Sequence, residues 1–264
     1  MLKSRAPASL PATLPPLTKR MLGWEIVVVF GVSLGASALY AIINLIGSLT
    51  APKVLAKQHA VLVGSAAPGR PLLDLTLQLA GILTTLVPVA LVFYLLAREG
   101  EGPSALGLDI TQPVKDIARG AVLAAIIGGT GLALYTAAFR LGISLNVVPE
   151  ALPSVWWRFP VLILDAAQNG ILEEILVLGY LLRRLDQLGW SPARAIALAA
   201  VVRGSYHLYQ GFGGFVGNAI LGVIFGVLYK RWGRVTPMII AHTLIDTGAF
   251  VGYALLHGHV SWLP

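Results

Sequence analysis

The sequence predicts an all-α fold: a polytopic, integral membrane helical bundle of about seven transmembrane helices, with boundaries that allow six to eight. Three observations lead there. Of 264 residues, 56% are hydrophobic and only 12% are charged, against ~25% charged in a soluble domain. The mean hydropathy is +0.79. Apolar runs recur that are long enough to cross a hydrocarbon core ~30 Å thick, which takes ~20 residues of helix. The composition excludes a soluble enzyme and a disordered chain. The absence of cysteine excludes a disulfide-stapled scaffold, and the 29 Gly and 16 Pro show no short-period repeat of the collagen kind.

In chain order, residues 1–23 read as a basic tail, with Lys3, Arg5, Lys19 and Arg20 among Pro7, Pro11, Pro15 and Pro16. The apolar run 24–49 is too long for the ~7–15-residue core of a cleaved signal and reads as a signal anchor. The runs 73–97 and 117–139 are nearly free of ionisable groups after their first few residues, and with 24–49 they make up a first membrane region, 24–150. The runs 160–182, 193–209, 213–229 and 235–256 all carry polar residues and belong to a second region, 151–264. Only Gln210–Phe212 separate 193–209 from 213–229, which predicts a tight helical hairpin that need not span the bilayer fully.

Orientation follows from the cations in the connections. Lys3, Arg5, Lys19, Arg20, Arg98, Lys115, Arg119, Arg183, Arg184, Arg194, Lys230, Arg231 and Arg234 fall on one side of the expected topology. Lys53, Lys57, Arg70, Arg140 and Arg158 fall on the other. The positive-inside rule places the N-terminus in the cytoplasm and the C-terminus outside, as expected for a multi-pass protein of the cell membrane. The net charge of +7 reads as topology signal and attraction to anionic headgroups. Its scatter points away from a nucleic-acid partner.

The informative residues are the ionisable ones inside the last four runs. A carboxylate at mid-bilayer costs at least ~2.5–3.5 kcal/mol, so each needs a partner, a wet cavity or a function. Asp165, Asn169 and Glu173 are spaced four apart and form one stripe on a helix, with Gln168 and Glu174 beside it. Arg203, Ser205 and His207 lie in the fifth run, Asn218 in the sixth, and His242 and Asp246, again four apart, in the seventh. Counted from the cytoplasmic ends, Glu173 is ~14 Å deep, His242 ~10 Å, Asp246 ~16 Å and His207 ~20 Å. Asn218, Asp165 and Asn169 taken singly read as interhelical hydrogen-bond glue, and carboxylate–histidine chains also build proton or ion pathways. An adjacent Glu-Glu pair with two separated histidines fits a third role, since neighbouring carboxylates prepare one another for general-base work.

The segments EEILVLGYLL, YHLYQGFGG and AHTLID together resemble the CPBP (CAAX protease and bacteriocin-processing, Abi) family of intramembrane proteases. That family shows Glu-Glu-x-x-x-Arg, Phe-x-x-x-His and His-x-x-x-Asn/Asp in this order; the likeness covers about 160–256. The resemblance implies that 151–264 is a catalytic membrane core. It also implies that Glu173 is the general base activating water, that His207 helps hold that water, and that His242 and Asp246 polarise the scissile carbonyl and steady the oxyanion. It implies a glutamate protease without metal or other cofactor, acting on a peptide or protein substrate. Glu173, His207 and His242 could in principle ligate zinc, though no His-Glu-x-x-His is present.

Two positions depart from the pattern: Leu178 stands where the motif has arginine, and Arg203 where it has phenylalanine. The two are expected to be linked, with Arg203 supplying from the neighbouring helix the guanidinium that pairs with Glu174. The sequence leaves two alternatives open. One is a catalytically degenerate scaffold or immunity protein on the same fold; the other is a proton-coupled transporter. The glycines Gly179, Gly204, Gly211, Gly213, Gly214 and Gly217 are expected to allow close helix approach, and the Gly-rich stretch GFGGFVGN is expected to be a mobile element that gates substrate entry.

Overall fold

A computed structural model describes residues 17–259; the greater part of the predicted tail, residues 1–16, lies outside the described residues. All seven apolar runs are helical, in ten α-helical segments and one π-helical segment. α1 (Lys19–Gly31) starts inside the predicted tail because Thr18 caps it, its Oγ1 accepting from Met21 N at 3.2 Å. α1 and α2 (Leu34–Thr50) meet at a 55° bend. α3 (Pro71–Thr85) and α4 (Val87–Arg98) run on from one another, with Pro88 near their junction. α5 spans Pro113–Arg140.

The central rod is continuous. α6 (Arg158–Glu173) passes directly into a π-helix (Glu174–Leu181) and then α7 (Leu182–Gln187). α8 (Pro192–Ser205), α9 (Phe212–Trp232) and α10 (Thr236–Leu256) complete the bundle. Two short strands, β1 (His59–Gly64) and β2 (Asn146–Ala151), pair in parallel with His59 opposite Asn146 and Gly64 opposite Ala151. The sequence reading did not anticipate them. They are too short and too irregular in polarity to stand out beside the membrane runs.

Four helices are long and apolar enough to cross a membrane among the described residues, α3–α4 counting as one; the bent pair α1–α2 makes a fifth if it is one span. The expectation of seven therefore included two helices that do not qualify alone. The rod α6–π–α7 carries Asp165, Glu173 and Glu174 within its apolar stretch, and α8 has 14 residues, ~21 Å of helix against a core of ~30 Å. Both depend on neighbouring helices to shield them. The large apolar side chains left exposed on α1–α5, such as Val28, Ile46, Leu83, Val122 and Ile126, form the surface that a bilayer would cover.

The main core surrounds the π segment. Every residue from Glu174 to Leu181 is buried, packed among Leu96, Leu106, Phe225, Val235 and Met238. A second core beneath the strands joins Val63, Leu152, Trp157, Leu162 and Phe250. The dominant helix pairs are α8 with α9, and α10 with both α5 and α6. Close approach of α6 to α10 depends on Gly170, where a Cβ would come within 2.7 Å of Thr243 Oγ1 and 3.0 Å of Ile239 O.

Several cations expected to act as loop charges are built into the fold. Arg184 is fully buried; its Nε donates to Glu25 Oε1 at 2.7 Å and its Nη1 to Glu99 Oε2 at 2.9 Å, tying α7 to α1 and to the end of α4. Arg234 clasps the α9–α10 turn to Asp116 at 2.6 Å and Asp109 at 3.0 Å. Its hydrogen bonds, with those from Thr111, hold the Asp109 carboxyl well below the ordinary aspartate value of 3.8.

Because Asp116 is almost wholly enclosed, Arg234→Ala leaves a buried carboxylate unpaired, and unfolding of the detergent-solubilised protein should be easier by about 3–5 kcal/mol. The lowered Asp109 group binds its proton more weakly in the folded state. Its contribution should be complete above pH 3.8 and be lost only as the pH falls through the lower folded value. An Asp109→Asn protein should therefore differ from wild type in thermal stability at neutral pH and converge on it in strong acid.

Candidate active site

The centre of the bundle collects the polar residues of four elements. α6 and the start of the π segment supply Glu173 and Glu174. α8 supplies Arg203, the turn after it Tyr206 and His207, and α10 supplies His242 and Asp246. The π segment opens at the second glutamate, and π bonding is an uncommon departure concentrated at functional sites.

Arg203 is fully buried. Its Nη1 lies 2.8 Å from Glu174 Oε1, an ion contact outside the directions of a hydrogen bond, and its Nη2 lies 3.4 Å from Glu173 Oε2. The guanidinium also packs on the Phe225 ring, 5.5 Å from its centroid. Leu178, in the place of the motif arginine, is buried among apolar neighbours. The expected link between the two departures thus has a physical form: the cation beside Glu174 comes from α8.

The sequence reading put Arg203 and His207 in one continuous apolar run, 193–209. The structure corrects this, because α8 ends at Ser205 and His207 sits in a turn followed by the 3-10 segment Leu208–Gln210. The turn, rather than a tilt of the helix, brings His207 Nε2 to 3.7 Å from Glu173 Oε2. Gln210 Nε2, which also donates to Tyr209 OH, lies 3.3 Å from His207 Nδ1. An amide nitrogen can only donate, so Nδ1 accepts and Nε2 carries the proton. That Nε2 is buried with no hydrogen-bond partner among the described residues.

His242 is buried between two carboxylates. Its Nδ1 is 2.7 Å from Glu174 Oε1 and 3.1 Å from Arg203 Nη2. A guanidinium has no acceptor, and an unprotonated Nδ1 would leave two acceptors facing at 2.7 Å; the consistent assignment is Nδ1–H donating to Glu174. The expected His242–Asp246 pair lies together, and a third group joins it. Glu174 holds Nδ1, whereas Asp246 lies 3.5 Å from Nε2 and itself accepts from Asn169 Nδ2 at 3.3 Å.

Sequence reasoning missed Tyr206. Its hydroxyl donates to Glu173 Oε2 at 2.7 Å and it is buried; its place beside His207 in YHLYQ was the only signal. Asn169, read singly as helix glue, holds Asp246. Asp165 stands two turns from Glu173 on the same stripe, half-buried. Among the described residues, Asn218 bonds within its own helix, to Gly214 O at 3.1 Å. No three His, Asp or Glu side chains are grouped to hold a metal ion among the described residues.

Chemically, the arrangement offers a carboxylate fixed by a tyrosine and an arginine, an imidazole N–H aimed at it, and a second imidazole whose Nε2 has only a loose partner. Residues 155–248, which contain all of these groups, match the family model described as type II CAAX prenyl endopeptidase Rce1-like, in agreement with the CPBP resemblance of the motifs. No curated protein and no solved structure matches the chain.

Replacing Arg203 tests the ion cluster directly. Arg203→Leu strands two buried carboxylates and should cost about 3–5 kcal/mol of stability. Leu178→Arg alone should also destabilise, since it adds a second cation inside an apolar shell. The double change Arg203→Phe with Leu178→Arg should recover part of the loss, as measured by thermal unfolding in detergent.

Proposed function

We propose that the protein is an intramembrane endopeptidase of the CPBP type that hydrolyses peptide bonds with a water activated by Glu173. At the family level the matched segment is that of a CAAX-type endopeptidase. One observation carries the finer reading: the buried, unpartnered Nε2 of His207 faces Glu173 Oε2 at 3.7 Å. A donor and a carboxylate at that separation suit a water bonded to both.

In this mechanism His207 Nε2–H donates to the water oxygen and Glu173 takes a proton from it as the oxygen attacks the scissile carbonyl carbon. The Tyr206 hydroxyl and Arg203 hold Glu173 in place. A protonated His242 Nε2, whose contact with Asp246 is long, is the donor free to turn to the developing oxyanion. The proton gained by Glu173 then passes to the leaving amine as the C–N bond breaks. Glu174 acts through His242 and Arg203 and is a positioning residue. The family description makes a prenylated CAAX peptide the first substrate to try; no prenyl-recognition feature is legible in the chain, so an unmodified peptide belongs beside it.

The test is cleavage by purified protein in liposomes. Glu173→Gln should lower the rate by ~10²–10⁴-fold, the usual contribution of a general base, with the melting profile retained. Cleavage undiminished in Glu173→Gln would overturn the reading. Absence of cleavage in wild type, with the variant still supporting the cellular role, would support the scaffold alternative. Proton-coupled flux abolished by the same change would support the transporter.

A further inference from the structure

We infer that the buried centre is reached by water and substrate from the face that carries the two-stranded sheet, opposite the cation-rich face, so that the cleaved segment lies on the sheet-bearing side. This rests on the endopeptidase reading for what passes along the route, and on geometry for where the route runs.

Toward the cation-rich face the centre is sealed. From Glu174 the π segment continues through eight buried residues. On α10, Val235, Met238 and Ala241 have no exposed surface. The segment before α5 closes over them: Leu106 is fully buried, Val235 N donates to Leu106 O at 3.2 Å, and Thr236 Oγ1 donates to Gly107 O at 3.0 Å. Arg234 fastens this closure to Asp109 and Asp116. His242 is only ~9 Å from the start of α10, yet that short way is filled with packed side chains.

Toward the sheet the character reverses. Asp165, Asn169, His207, Tyr209, Gln210 and Asp246 are all partly exposed. They are polar and lie on facing elements. Across α6 and α10, Asn169 Nδ2 donates to Asp246 Oδ2 at 3.3 Å. Ionisable surface of this kind is costly where it meets lipid, so it must be wetted. The stripe Asp165–Asn169–Glu173 climbs from ~10 Å to ~22 Å from the first residue of α6, a graded polar way inward. Tyr209 also lines a groove of about 520 Å³ between the end of α2 and the start of β1, together with Asn44, Gln58 and His59. From there Tyr209, Gln210 and His207 lead to Glu173 through the contacts already described.

The chain's lack of cysteine gives a clean test. Single cysteines at Asp165→Cys on the route, Asn44→Cys at its mouth and Ile110→Cys on the opposite face are exposed to a membrane-impermeant charged maleimide in sealed vesicles of each orientation. Asp165→Cys should label from the same side as Asn44→Cys, with labelling lost from the side that modifies Ile110→Cys. Labelling of Asp165→Cys from the Ile110→Cys side, or from neither side in a folded protein, overturns the inference. If Asp165→Cys fails to fold, Tyr209→Cys answers the same question. Labelling needs no turnover, so a protein without peptidase activity can still satisfy this test, and an active peptidase can still fail it.

Discussion

The Arg203 guanidinium, enclosed on all sides and shared by Glu173, Glu174 and His242, is the interaction on which the centre of the protein depends. Taking ions of either sign out of water costs several kcal/mol each, and a bilayer offers nothing to compensate. One cation placed between two glutamates and an imidazole offsets that cost for both carboxylates in one small volume. It also explains why α8, too short to cross the membrane alone, is held inside the bundle: its last turn carries the charge that the rod α6–π–α7 needs.

That dependence shows why adjacent glutamates have different surroundings. Glu174 is turned into the core, where its polar partners among the described residues are Arg203 and His242 and it has no exposed surface. Glu173 faces the partly open side, beside Tyr206 and His207. Neighbours in the sequence are thus divided between one group that organises the cluster and one that can meet a reactant. The π segment beginning at Glu174 re-phases the helix at the point where this division is made.

Much of this was legible in the sequence because charge is scarce there. The helices were written in apolar runs, and Glu173, Glu174, Arg203, His242 and Asp246 stood out against them; the Arg203–Glu174 contact was foreseeable from two departures that compensate. What escaped is what periodicity does not encode. A helix treated as continuous through His207 hides the turn that aims it. Tyr206 is an apolar-looking residue until its hydroxyl is given a partner. Arg184 and Arg234 looked like boundary cations, since nothing local announces that Glu25, Glu99, Asp109 and Asp116 converge on them from elsewhere in the chain. The contact of His242 Nδ1 with Glu174 escaped for the same reason: the two are near only in space.

The small parallel sheet has a consequence for connectivity. β1 and β2 are separated in the chain by α3, α4 and α5, yet they lie side by side. Strands can pair only if both are delivered to the same side of a bilayer, so the chain between them must cross an even number of times. α5 is one crossing; α3 and α4 must then together amount to one as well, despite the break at Leu86. A two-stranded ribbon of six residues a side thus acts as a parity check on insertion, satisfied only when the first and third connections of the chain emerge together.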